Sequence, residues 1–181
     1  MTSIGETRRG LNWRAIGWGG AVALLAAPFV AMRFTSEVNW SAGDFIFAGL
    51  LFGVVGLCLE LAVRSSRDWA WRGGAALAVL SGLFLIWANG AVGMIGNEDN
   101  GYNLLFIGLI PLALLGTAIA RFRAAGMAAV MLAAGAGQIA IGAVGYAQDP
   151  RGAVFSIITS GGWLVAALLF RIAAGRAREA A

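Results

Sequence analysis

The 181-residue chain is 60% hydrophobic and only 12% charged, about half the charge of an ordinary soluble domain. Such a composition cannot cover a water-facing surface, so it excludes a soluble globular domain, a disordered chain and a disulfide scaffold. The net charge of +4 comes from 13 arginines with no lysine, scattered along the chain, which argues against a nucleic-acid partner.

Long apolar runs bounded by charge predict six helices at 15–32, 45–63, 73–96, 104–120, 124–147 and 153–170. Each is close to the ~20 residues that cross a hydrocarbon core. The expected fold is therefore all-α: a polytopic transmembrane helix bundle of six spans forming three helical hairpins, one domain over 1–181. Ahead of the first span, Thr7-Arg8-Arg9-Gly10-Leu11 is similar to a twin-arginine export signal. The apolar stretch behind it is longer than a signal core and runs on to Arg33, so it reads as an uncleaved first helix with a positive flank.

Span two carries Gly49, Gly53, Gly56 and Glu60 at steps of four, three and four, on one helical face. Glycines so spaced let helix backbones approach closely, which drives association in lipid. Glu60 shares that face. A carboxylate within a span suggests a proton or cation role by default, but Arg64 four residues on favours a local ion pair. Span three ends in Asn89-x-x-x-Gly93-x-x-Gly96, and span five contains Gln138-x-x-x-Gly142-x-x-Gly145. The amides are expected to act as packing devices across helices, with a ligand-binding amide pair as the sharper alternative. Gly93 and Gly142 are read as helix-packing positions beside them. The shared pattern, with arginines closing both hairpins at Arg121 and Arg171, suggests an internal repeat of hairpins.

Orientation follows from arginine placement. With the N-terminus inside, only Arg33 and Arg151 lie in outer loops and the other eleven lie inside. This split predicts both termini to be cytoplasmic. The outer loops then hold Glu37, Asp44, Glu98, Asp99 and Asp149, either a cation-attracting vestibule or, more simply, turn and cap residues, with Asp44 capping the helix from Phe45. The 97–103 loop lacks the full spacing of a calcium site. Without histidine, and with Cys58 as the single cysteine, the sequence excludes histidine-ligated haem or zinc, a histidine base and a thiolate cluster. No metal, no cofactor and no catalytic residue is expected.

Trp40 with Asp44-Phe45, then Asn89-Gly90-Ala91-Val92-Gly93 leading into Asn97-Glu98-Asp99-Asn100, resembles an uncharacterised family of small bacterial inner-membrane proteins. The resemblance implies a polytopic fold in the bacterial inner membrane and no catalytic activity. Glycine stripes, few charges within spans and short loops suggest a non-enzymatic accessory, assembly or scaffold protein. It would act through helix–helix contacts in the lipid bilayer, with a membrane-protein partner or further copies of itself. The alternative is an oligomeric channel or small-solute or cation transporter lined by Glu60, Asn89 and Gln138. A membrane enzyme ranks last, because no carboxylate pair has the spacing for acid–base work.

Overall fold

A computed structural model describes residues 13–180. The Thr7–Leu11 motif lies outside the described residues. The chain forms α1 (Trp13–Ala31), α2 (Ala42–Ser65), α3 (Trp69–Ala91), α4 (Leu104–Ile119), α5 (Ala124–Gly145), α6 (Pro150–Thr159) and α7 (Gly161–Glu179). A 3-10 turn, Gly101–Asn103, leads into α4, and no strand occurs among the described residues. Six segments are long and apolar enough to cross a membrane, with α6 and α7 together making the sixth.

The helix ends are set by caps that hydropathy does not register. Ser41 and Asp44 form a capping box: Asp44 Oδ2 accepts from the Ser41 N–H at 2.7 Å, and Ser41 Oγ accepts from the Asp44 N–H at 3.3 Å. Asp44 is therefore the reciprocal partner inside the first turn, and the helix starts three residues before Phe45, at Ala42. Asp68 caps α3 by accepting from the Trp71 N–H at 2.8 Å. Asp149 caps α6 with Pro150 at the first helical position, where its missing N–H costs nothing. Between α4 and α5 the chain turns a tight corner with Arg121 and Phe122 both left-handed, at φ 51° and 58°. That backbone costs roughly 1–2 kcal/mol per residue outside glycine.

Two compact units divide at Gly56, within α2. In the first, residues 1–56, α1 and the start of α2 are joined by aromatic and glycine contacts. Phe29 meets Phe45 edge-on at 6.4 Å, and Phe45 meets Trp40 at 5.2 Å. Trp18 lies over Gly56 so closely that a Cβ there would sit 2.7 Å from its ring.

In the second unit, residues 57–181, α7 packs against both α3 and α5, while α5 also packs against α4 and α6. Small residues at the crossings permit this. Gly74 admits the Phe170 ring, which also meets Trp71 edge-on at 5.8 Å, and Gly135 admits Leu164. Without water in the bilayer, such close van der Waals packing replaces the hydrophobic effect as the source of helix association. Polar ties bind the connections at each end of the unit. At one end Arg176 near the C-terminus reaches Asp68 at 3.2 Å, and the Trp71 indole N–H donates to the Phe122 carbonyl at 3.4 Å. At the other end the Gly96 N–H donates to Asp149 at 3.0 Å.

Candidate functional site

The most concentrated polar cluster within the spans forms around Gln138 in α5, which is buried with 1% of its surface exposed. Its Nε2 donates to the Ser156 carbonyl at 2.9 Å and to Thr159 Oγ1 at 3.0 Å. Its Oε1 accepts from the Trp163 indole N–H at 2.8 Å. The Ser156 hydroxyl returns a bond to the Gln138 carbonyl at 3.3 Å. One amide thus joins α5 to both α6 and α7.

The cluster sits at Ser160, where the ladder of the last span is interrupted while its backbone stays α-helical at φ −62° and ψ −19°. The Ser160 hydroxyl donates to the Ile157 carbonyl at 2.6 Å, and Thr159 Oγ1 donates to the Phe155 carbonyl at 2.9 Å. Hydroxyls that bond back to carbonyls three and four residues earlier compete with the helix's own ladder and loosen it. Gly161 and Gly162 follow, and the Cβ that Gly162 lacks would collide with the Ser81 hydroxyl of α3. These hydroxyls thus serve carbonyls of their own span at the junction of α6 and α7.

Asn89 takes a different position. Its Nδ2 donates to the Leu85 carbonyl of its own helix at 2.7 Å, while its Oδ1 is buried without a hydrogen-bond partner among the described residues. It therefore bonds along α3, whereas Gln138 bonds across helices. Gly93 and Gly96 do not share its helical face. α3 ends at Ala91, and the two glycines turn the chain away at φ 74° and 75°, a backbone that favours glycine. Gly93 is a turn residue rather than a helix-packing one: a Cβ there would meet the Asn97 carbonyl. The matching glycines of α5, Gly142 and Gly145, stay helical. Gly142 does pack closely, with a Cβ there falling 2.9 Å from Ser156 Oγ.

On α2, Gly49 faces Leu25 and Gly56 faces Trp18, but a Cβ on Gly53 would meet nothing within 4 Å. The even spacing fixes the face but not where the neighbouring helix crosses it, so Gly53 has room for a Cβ where Gly56 has none. Glu60 accepts from Arg64 at 2.6 Å, with 24% and 63% of the two side chains exposed. A pair this accessible, one turn apart, is worth about 0.3–0.5 kcal/mol.

Of the acidic loop residues, Asp149 has the richest set of partners. Its Oδ1 accepts from the Arg151 and Gly152 N–H groups at 3.1 and 3.0 Å, while Oδ2 takes the Gly96 N–H. The Gly152 and Gly96 amides hold its carboxyl below the usual aspartate range. Glu37, Glu98 and Asp99 are exposed. The organiser of the 93–103 loop is Asn103, whose Oδ1 accepts from the Met94 and Ile95 N–H groups at 3.1 and 2.9 Å. Its sequence signal is its place directly before the apolar run of α4, which sequence reasoning treats only as a loop end. No three His, Cys, Asp or Glu side chains among the described residues are grouped to hold a metal ion.

Comparison with protein families, curated proteins and solved structures finds no match to this chain.

Proposed function

We propose that this chain is a non-enzymatic accessory, assembly or scaffold protein of the bacterial inner membrane, acting through helix–helix contacts. The observation that carries the reading is α1. None of its apolar window is buried, against 39% in α5, and Gly17, Gly19 and Gly20 meet nothing within 4 Å. A span that meets α2 through Trp18, Leu25 and Phe29 while its glycines stay exposed suits close approach by a helix of another protein at those glycines.

Three hairpins with both termini cytoplasmic is the accompanying topology. It draws support from the polar ties of the second unit. Asp68 with Arg176, and Trp71 with Phe122, gather the α2–α3 connection, the α4–α5 corner and the C-terminal end of α7 at one level. Those segments carry Arg64, Arg67, Arg121, Arg123, Arg176 and Arg178, which marks the cytoplasmic side by the positive-inside rule. Gly96 with Asp149 joins the two connections at the opposite level.

The second reading, an oligomeric channel or small-solute or cation transporter lined by Glu60, Asn89 and Gln138, has one observation in its favour. Asn89 Oδ1 is a buried acceptor without a partner among the described residues. Gln138 and Glu60 already have partners within the chain.

Native mass spectrometry of the protein gently extracted from its own membrane separates the readings. The expected result is a stoichiometric foreign subunit, lost in the Gly20→Leu variant while the variant itself accumulates normally. A homo-oligomer without a companion would overturn the scaffold reading and move attention to flux through the Asn89 variants.

A further inference from the structure

An apolar groove of about 370 Å³ runs along the first unit, lined by Val22, Leu25, Ala26 and Phe29 of α1 and by Phe45 of α2. It is shallow and open, with Val22 and Phe29 both largely exposed along it. Its lining presents almost no polar surface, so it offers nothing to a sugar, an ion or a peptide backbone. What distinguishes it from any other apolar crevice is the residue at its end. Met32, Arg33 and Phe34 continue the turn of α1, with their N–H groups bonded to the carbonyls of Pro28, Val30 and Ala31. Val22, Ala26, Phe29 and Arg33 thereby fall at steps of four, three and four on one face.

The Arg33 guanidinium carbon stands 5.4 Å from the centroid of the Phe29 ring, a wall of the groove. Arg33 is exposed and makes no ion pair with any described residue. A delocalised cation stacked on an aromatic wall keeps its N–H fork available for a phosphate, which it binds in bidentate fashion. One cation at the end of a shallow apolar groove, where α1 leaves its apolar segment, complements an anionic amphiphile whose charge and chain are covalently joined.

The geometry points to a binding site for one anionic phospholipid, its phosphate on Arg33 and one acyl chain along Val22, Leu25, Ala26, Phe29 and Phe45. Trp40, edge-on to Phe45, completes the aromatic end of the site at the level where amphipathic rings meet headgroups. Gly17, Gly20 and Leu24 occupy the opposite side of α1, so a lipid here and a partner helix there do not compete.

The test is native mass spectrometry of the full chain released from phosphatidylcholine vesicles with and without phosphatidylglycerol. Wild type is expected to retain one phosphatidylglycerol in preference to phosphatidylcholine. Arg33→Gln should weaken that retention about tenfold, the usual scale for losing one charge-assisted contact. Arg33→Lys should keep most of it. Ala26→Phe, which fills the groove but leaves Arg33 in place, should also lose the lipid. Equal retention of both lipids, or retention unchanged in Arg33→Gln, would overturn the proposal. Retention kept in a folded Ala26→Phe would reduce the site to a surface charge and remove the groove from it. A change in the mass of a homodimer or a foreign complex, in place of the lipid adduct, would assign the groove to a protein helix.

Discussion

Removing the Gln138 amide is the sharpest perturbation of the second unit, because its partners do not suffer equally. In Gln138→Leu the side-chain volume is nearly kept while three hydrogen bonds go. The Ser156 carbonyl still accepts from the Ser160 N–H at 3.1 Å, and the Thr159 hydroxyl still donates to Phe155. The Trp163 indole N–H, on a residue only 3% exposed, keeps nothing. An unsatisfied buried donor costs about 1–3 kcal/mol, more than the ~0.6 kcal/mol average of an interhelical hydrogen bond in a membrane. The variant should therefore lose about 2 kcal/mol. Trp163→Phe leaves Gln138 Oε1 orphaned instead, and the double variant removes both polar groups together. A double-mutant cycle, read by reversible unfolding in mixed micelles, should give a coupling of about 1 kcal/mol. Additive single effects, or a Gln138→Leu variant within ~0.5 kcal/mol of wild type, would refute the assignment of Gln138 as the fastener of the interrupted span.

Three other outcomes follow from the same geometry. Gly152→Ala should destabilise the second unit by about 1–3 kcal/mol in the same assay, since its Cβ would press on the Met94 carbonyl, which is backbone and cannot swing away; an unchanged midpoint would contradict that contact. Glu60→Gln should alter stability by less than ~0.5 kcal/mol and leave expression unchanged, because it replaces an exposed ion pair; failure to accumulate in the membrane would show that the charge itself is structural. Asp149 and Asp68 both have carboxyls held below their ordinary range, chiefly by backbone N–H groups. Their stabilisation is thus full above the unfolded value near ~3.9 and disappears as pH falls through the lower folded values. Acid-induced loss of stability should begin only below about pH 4 and be blunted in Asp149→Asn; onset near neutrality would point to other groups.

The spans were legible because hydrocarbon thickness sets a length that any long apolar run reveals. Their ends were not, because short-range hydrogen bonds rather than hydropathy decide them. Ser41 and Asp44 pull the start of α2 outward, and Asp149 with Pro150 starts α6 ahead of the apolar run. Gly93 ends α3 early by adopting a backbone that composition alone does not announce. The polar candidates show the same division. Glu60 and Arg64 meet because they lie one turn apart, which sequence can read directly. Gln138 finds Trp163, 25 residues away, only through the packing of α5 on α7. Similarly, periodicity placed Gly53 and Gly56 on one face, but only the position of Trp18 shows which of them receives a neighbour.

The place of α7 between α3 and α5 bears on how the protein is made. Synthesis delivers the helices in order, yet the cap residue of α3 completes its ion pair with Arg176, 108 positions later. The loop after α3 waits for Asp149 in the same way. Earlier spans can enter the bilayer as they emerge, but the second unit cannot consolidate until its last helix has left the ribosome. A nascent chain stalled before α7 would leave the small-residue faces that α3 and α5 present to α7 uncovered, and those are the surfaces a quality-control protease or insertion chaperone would meet first.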